Sequence, residues 1–425
     1  MNRIILKPGE EDRILSGHPW VYDNEIAREI ADPSVSASDG LPAGGLADVE
    51  SSRKKYLGRA FVNPNSKIRA RIFSPSKEGV DPGFFKRRIR QAMERRRHDY
   101  DLGSESARLV FGEADFLPGL IVDRFVGHEA EGDRSGPTKS WLSIQLLTYA
   151  MDLRRDDIIA ALKEALSWWP PEKGAAPGEP AGMVERDEAH VRELEGLPLR
   201  SGVLEGSVPG GGVIIKENGL LFFVDLMGGQ KTGHFLDQKE NRAFAARFAT
   251  GRRVLDACCH TGGFAIHAAA AGAGQVTALD VSAQALSAVR RNAELNRVSE
   301  RIMTLEGNVF DVLRDMERSG ERFGLIILDP PAFAKSRTAL EGAARGYKEI
   351  NLRAMNLLEK DGILVTCSCS QAMTEDLFRS MIADAAMDAG KRLHQLAFRH
   401  QAPDHPVLVG FPESLYLKCG IYRAL

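Results

Sequence analysis

Arg253-Val254-Leu255-Asp256-Ala257-Cys258-Cys259-His260-Thr261-Gly262-Gly263-Phe264 reads as a short strand, a glycine turn and the start of an Ala-rich helix. Glycines at a strand-to-helix turn let the backbone approach a ligand closely. Strand and helix patterns alternate from here on. Gln275 to Asp280 reads as a strand and Ser282 to Asn296 as a helix. Leu325-Ile326-Ile327-Leu328-Asp329 is nearly all apolar, as a parallel strand covered on both faces requires. A helix around Ile350 to Leu358 and a strand at Gly362-Ile363-Leu364-Val365-Thr366 follow. This βαβα order, beginning at about Phe235, predicts a doubly wound α/β sheet.

The texture upstream is different. Ile4-Ile5-Leu6, Leu46-Ala47-Asp48-Val49 and Ile68 to Phe73 are short strand-like runs between turn-rich segments, including residues 31–45. Asp81-Pro82-Gly83 opens a helix on which Phe85, Ile89 and Met93 recur at helical spacing. Lys86, Arg87, Arg88, Arg90, Arg95, Arg96 and Arg97 lie on the other side, either as a solvated face or as a phosphate-contacting one. Leu109 to Gly112 and Gly119 to Asp123 read as paired strands, and Trp141 to Leu146 as another after a polar loop at 128–140. Residues 154–168 read as a helix and 170–182 as a loop. Val213 to Val224 is two strands around Asn218-Gly219, a strong hairpin signal.

A chain of 425 residues normally holds two or three domains. No run of 18 apolar residues suggests a membrane span, and the first residues lack the apolar core of a signal peptide. Five Cys, four of them in two tight pairs, do not make a secreted disulfide framework and suggest a reducing cytoplasm. No Cys/His set has metal-ligand spacing, so no metal is expected. The net charge of −2 argues against a nucleic-acid partner until it is divided along the chain. Residues 1–100 carry 19 Lys+Arg against 14 Asp+Glu, leaving 37 against 44 in the remainder. The two ends therefore face different partners.

Three strand tips carry candidate chemistry. The fingerprint G-x-G-x-x-G of dinucleotide enzymes is absent, and Asp256 before the glycines suits a cofactor with a cationic amino group, such as S-adenosylmethionine (SAM). Asp280, at the end of the second strand, can accept both ribose hydroxyls, and Asn308 after the next strand offers an amide to an adenine edge. A helix N-cap for Asp256 and a solvent-facing strand end for Asp280 are the plain alternatives. Asp329-Pro330-Pro331-Ala332-Phe333 places a carboxylate at a strand tip before a stiffened loop, where it can hydrogen-bond a planar base. Thr366-Cys367-Ser368-Cys369-Ser370 forms the neighbouring tip. A thiolate there can attack an electrophilic carbon, and Cys369 at the tip is the better candidate. Cys367, one step inside, and Cys258 and Cys259 read as packing residues.

Together these residues resemble a known family. Lys231-Thr232-Gly233-His234-Phe235-Leu236-Asp237-Gln238, Asp256 to Phe264, Asp329-Pro330-Pro331 and Ser368-Cys369-Ser370 are similar to the PUA-bearing large-subunit ribosomal RNA 5-methylcytosine methyltransferases. Gly17-His18-Pro19-Trp20-Val21-Tyr22 resembles that family's PUA signature, and Pro118 to Asp123 its central domain. Asp404-His405-Pro406, Pro412-Glu413 and Leu415 to Lys418 resemble its C-terminal strands.

The resemblance implies a Rossmann-like class I methyltransferase domain (235–425) preceded by a small β-rich PUA domain (1–77), a central α+β domain (78–200) and a β-hairpin connection (201–234). It implies SAM held by Gln238, Asp256, Thr261, Gly262, Asp280, Asn308 and Asp329. Cys369 is then the nucleophile that adds to cytosine carbon-6, and Asp329 stabilises the protonated ring. Pro330, Pro331, Phe333, Arg87 and Arg88 contact RNA. The implied partner is large-subunit ribosomal RNA, with no membrane and with a homodimer left open. Many broader relatives carry a second Cys after the two prolines; here Ala332 stands there, so the base that removes the carbon-5 proton has no assignment. Methylation of a guanine nitrogen, or RNA binding without catalysis, are the competing functions.

Overall fold

The computed structural model describes residues 1–32, 40–167, 178–229, 232–333 and 340–425. The expectations for 33–39, Trp168, 170–177 and Lys231 lie outside them. The chain forms two compact units. Unit one contains Met1–Lys216, Val224–Leu236 and Pro403–Ser414; unit two contains Glu217–Phe223, Asp237–Ala402 and Leu415–Leu425. The chain thus passes between them five times.

Unit one begins with β1 (Asn2–Leu6), helix α1 (Glu11–Leu15), β2 (Trp20–Tyr22), β3 (Ile26–Ile30), β4 (Leu46–Glu50), β5 (Tyr56–Val62) and β6 (Ile68–Ser74). They form one sheet in the order β2-β6-β5-β4-β1-β3, with β1 parallel to β4 and antiparallel to β3. Its inward residues include Ile4, Leu6, Val21, Val49, Val62 and Ala70. β1 alternates buried and half-buried residues, whereas β4, β5 and β6 bury consecutive residues, and β2 has only three.

Helix α2 (Pro82–Arg96) starts where the Asp81 carboxylate accepts the Phe84 N–H at 2.7 Å, a favourable N-cap. It buries Phe84, Phe85, Ile89 and Met93 in the same core as Ile158 and Leu162 of α4 (Arg155–Ser167), which follows the short α3 (Tyr149–Asp152). The covering sheet contains β7 (Ala107–Phe111), β8 (Leu120–Glu129), β9 (Lys139–Leu146), β10 (Gly182–Asp187), β11 (Arg200–Gly206) and β12 (Val213–Glu217). Its order is β11-β10-β9-β8-β12, with β7 also on β8; the one-turn α5 (Val191–Leu194) precedes β11. The strands β8 and β9 reach into the expected polar loop at 128–140 and pair as far as Gly127 with Lys139. β12 and β13 (Leu220–Val224) flank the Asn-Gly turn, whose φ values are 50° and 85°.

Of the stretches expected as C-terminal strands, only Lys418 lies in one, and Leu415-Tyr416-Leu417 is irregular chain. Asp404-His405-Pro406 is turn and irregular chain, and Pro412–Ser414 is a short 3-10 helix. Prolines deny them a ladder, and both belong to unit one. There the Asp404 carboxylate accepts the Arg108 N–H at 2.9 Å, and its carbonyl accepts the Arg96 guanidinium at 2.9 Å. The His18 ring meets Phe411 edge-on at 5.2 Å, and its Nε2 lies 3.2 Å from Glu413. Distant motifs are thus joined in one packed cluster.

Unit two has α6 (Lys239–Ala246), β14 (Arg253–Ala257), α7 (Gly263–Ala270), β15 (Gln275–Asp280), α8 (Ala283–Leu295), β16 (Ile302–Glu306) and α9 (Val309–Arg318). It continues with β17 (Phe323–Leu328), α10 (Leu340–Leu357), β18 (Leu358–Ser368), α11 (Glu375–Asp388), β19 (Leu393–Arg399) and β20 (Lys418–Ala424). The strand order is β16-β15-β14-β17-β18-β20-β19. The first five strands run parallel; β20 is antiparallel to β18 and to β19. Helix α10 starts at Leu340, earlier than its apolar pattern announces. The order reverses between β14 and β17, so their carboxyl ends open on a topological switch point.

Candidate active site

The tips of β14, β15, β17 and β18 build the site. After β14 the loop alternates left-handed residues, with φ of 61° at Cys258, 50° at His260 and 79° at Gly262. Such conformations cost about 1–3 kcal/mol each in non-glycine residues and persist where surrounding bonds impose them. Here the Cys259 N–H donates to Leu279 O at 3.0 Å, and the His260 N–H to the Asp280 carboxylate at 2.8 Å. At Gly262 a Cβ would also meet Val289 Cγ2 at 3.0 Å. Thr261, between them, gives its carbonyl to Asn292 Nδ2 at 2.9 Å.

Asp256 is fully buried at the end of β14. One carboxylate oxygen accepts the Ala265 N–H of α7 at 2.8 Å, so the helix-capping alternative describes half of this side chain. The other oxygen, Oδ1, has no hydrogen-bond partner. Burial, reinforced by Asp329 and Asp280, pushes the carboxyl up to about 8. Asp280 is partly exposed and also accepts Ser282 N–H at 3.0 Å. Val281, the next residue, is 72% exposed, and sequence reading passed over it. Asn308 is exposed and caps α9 by accepting Phe310 N–H through its Oδ1 at 2.9 Å; the cap leaves its amide N–H₂ turned to other partners.

Asp329 follows β17 at half-burial, and its Oδ1 accepts Gln238 Nε2 at 3.1 Å. The orientation of that amide is determined by a chain of donors. Arg399 Nε donates to Asn241 Oδ1 at 3.0 Å, so Asn241 Nδ2 must donate onward, to Gln238 Oε1 at 2.7 Å. Gln238 then has only its N–H₂ to present to Asp329. At 3% exposure, Gln238 lies beneath the carboxylate rather than open to solvent. Pro330 is buried, Pro331 exposed and Phe333 half-buried, its ring 4.6 Å from Tyr347.

The β18 tip separates its two cysteines. Cys367 is fully buried and pairs in register with Cys419 of β20. Its hydrogen bond with Cys419 and its burial push the thiol up. Cys369 is partly exposed. On either side Ser368 and Ser370 are buried, and Tyr347 Oη meets Ser370 Oγ at 3.0 Å. Burial, then Asp280 and Asp329, pushes the Cys258 thiol up to about 12, and Cys259 lies well above its ordinary value for the same first cause. Neither is a ready thiolate.

In unit one, Arg87 and Arg88 both face Glu78, at 3.3 and 2.7 Å. They line an open groove of about 590 Å³ with Ser74, Ser76, Lys77 and Gln91. Arg87 is the exposed one; Arg88 also reaches the Phe73 carbonyl at 3.3 Å. Asp152, Glu185 and Asp187 come close enough to share a cation, but Arg155, Arg192 and Arg200 already pair with them.

The site of unit two therefore offers a buried carboxylate oxygen without a partner, a second carboxylate at the adjoining tip, an exposed amide and an apolar side chain beside them. These fit a ligand that carries a cationic group, ribose hydroxyls and a planar base. Fold and site define a SAM-dependent methyltransferase preceded by a PUA-like domain. Family models agree: S-adenosylmethionine-dependent methyltransferase matches residues 204–411, and PUA-like domain matches residues 4–75. The chain is 39% identical over 426 residues to Ribosomal RNA large subunit methyltransferase I of Tolumonas auensis, covering 99% of both. It is 38% identical over 423 residues to the protein of that name in Escherichia coli O139:H28, covering 98% of both. The chain belongs to the ribosomal RNA large subunit methyltransferase I family. A solved structure described as a candidate SAM-dependent methyltransferase from Streptococcus mutans shares the fold over the whole of both chains, at 20% identity and a TM-score of 0.79.

Proposed function

We propose that this protein forms 5-methylcytosine in large-subunit ribosomal RNA through a covalent Cys369 adduct. The relatives named above support the RNA class. The observation that carries the covalent chemistry is the partly exposed Cys369 at the tip of β18, beside β17, which Asp329 follows.

The target cytosine leaves its stack and enters the space beyond the β17 and β18 tips. The Cys369 thiolate forms a bond to carbon-6, and the displaced electron pair makes carbon-5 nucleophilic while nitrogen-3 takes a proton delivered from water through the Asp329 carboxylate. Asp329, held by Gln238, stabilises that protonated ring. When bound, SAM would supply an electrophilic methyl group, which carbon-5 would take as the methyl–sulfonium bond breaks and its electron pair stays on sulfur. A base takes the carbon-5 proton, the nitrogen-3 proton returns through Asp329, the carbon-5–carbon-6 double bond re-forms and Cys369 leaves as thiolate. Ala332 leaves that base outside the Asp-Pro-Pro loop.

Around the cofactor, Asp256 Oδ1 is the partner for a cationic amino group, in the loop of Thr261 and Gly262. Asp280 takes ribose hydroxyls, Asn308 gives its amide to the adenine edge, and Val281 covers an apolar ring face. In unit one, Lys77 and Arg87 contact RNA phosphates from the groove beside α2.

The test is bisulfite sequencing of ribosomal RNA from a deletion strain complemented with Cys369→Ala or Cys367→Ala. The expected result is one lost methylcytosine, restored by the Cys367 variant and not by the Cys369 variant. Equal rescue by both removes the nucleophile assignment. An unchanged methylcytosine pattern in the deletion strain points to another base, such as guanine.

A further inference from the structure

Lys418 is a long cationic side chain only 2% exposed to solvent. Burying an ammonium is costly unless charge or hydrogen bonds compensate. Its Nζ donates to two backbone carbonyls, Ser370 O at 2.8 Å and Tyr416 O at 2.7 Å. It forms no ion pair with any described residue. Two neutral acceptors leave the ammonium without an ion-pair partner in a region of low dielectric, and Glu375 acts on it only through space.

The position of that charge is specific. β18 and β20 are antiparallel, and Lys418 pairs in register with Ser368. Its Nζ then reaches the carbonyl of Ser370. Lys418 therefore holds the chain on both sides of Cys369. Tyr347 of α10 secures the same segment through Ser370 Oγ. The other ionisable groups nearby are already engaged. Glu375, at the start of α11, pairs with Arg379 at 2.8 Å and His400 at 3.0 Å. Asp329 accepts Gln238. Cys367 and Cys419 lie opposite one another and are buried.

We propose that Lys418 is the positioning residue of the nucleophile: it pins the β18 tip and supplies the counter-charge for the Cys369 thiolate. The inference rests on the reading of Cys369 as nucleophile. Burial lowers the Lys418 ammonium to about 8, while Cys369 and, less, Glu375 act in the opposite sense by favouring its charged form. A buried ammonium and a partly exposed thiolate beside it each favour the other's ionised form.

The experiment is iodoacetamide alkylation of the full chain across pH, with modification at Cys369 read by peptide mass spectrometry. Wild type, Lys418→Met and Lys418→Arg are compared, with SAM binding by calorimetry as the measure of an intact fold. Wild-type Cys369 is expected to alkylate with a midpoint below that of a free cysteine peptide. Lys418→Met should slow modification at pH 7 by about tenfold, the equivalent of one pH unit in the thiol, and Lys418→Arg should restore most of the rate. A wild-type profile that matches the free peptide overturns the proposal whatever the variants do. So does a SAM-binding Lys418→Met protein that alkylates like wild type. If Lys418→Met loses SAM binding, the wild-type profile and Lys418→Arg decide. Alkylation needs neither RNA nor methyl transfer. A failure of the methylcytosine reading would thus appear in the complementation strains and leave this result standing.

Discussion

Asp256 shows how a single buried carboxyl links the site to pH. Its folded value of about 8 lies far above that of an unfolded Asp, near 4. Between those values the folded chain holds a proton that the unfolded chain has released. This residue's contribution to stability is therefore greatest at acid pH and declines as pH rises towards 8. A bound cation at Oδ1 favours the carboxylate and expels that proton. SAM binding at pH 6.5 should release about one proton, and the release should fade above pH 9. Calorimetry in buffers of different ionisation enthalpy measures this directly. A heat of binding independent of buffer would remove Asp256 from contact with the cationic group. Asp256→Asn should abolish the release while keeping the bond from Ala265.

The elements that carry the site were the most legible part of the sequence. β14, β15, β17 and β18 announce themselves because strands covered on both faces are continuous apolar runs. β16 is legible only by its place before Gly307-Asn308, because it is an edge strand with Met303 and Glu306 exposed and carries no continuous apolar run. The loop after β14 has a sharper requirement than its glycines suggest. Gly262 is left-handed and its missing Cβ faces Val289. Gly262→Ala combines backbone strain of about 1–2 kcal/mol with a clash. A lower melting temperature and weaker SAM affinity are expected together, measured by calorimetry. Melting unchanged from wild type would mean that the loop adapts at no cost. The orientation of Gln238 and the placement of Lys418 were beyond sequence reading. Each depends on partners more than a hundred residues away or across an antiparallel register, and local periodicity carries no trace of either. Cys369 was distinguishable from Cys367 because strand alternation ends at the tip, where one cysteine is enclosed and the other partly open.

At the scale of the molecule, the net charge of −2 conceals a polarity along the chain. The basic first hundred residues include α2 and the Lys77–Arg87 groove. Salt sensitivity of RNA affinity measures how many phosphates are neutralised. Arg87→Ala should weaken binding of a ribosomal RNA fragment across sequences and lower the slope of log affinity against log salt by about one. Filter binding from low to moderate salt reads both. Arg88→Ala makes a poor comparison, because that guanidinium also packs over Phe84 and Phe116. No helix among the described residues is long and apolar enough to cross a membrane.

The return of Pro403–Ser414 to unit one has a consequence for biosynthesis. A ribosome makes the N-terminal sheet early, but Asp404, the partner of Arg96 and Arg108, emerges 308 and 296 residues after them, and Glu413, beside His18, later still. β20, the strand paired with β18, follows these. Neither unit has these residues until the segments after Ala402 have been made, and no single cut in the polypeptide separates one from the other. A chain stopped before Pro403 thus leaves both units incomplete, and the two are finished together.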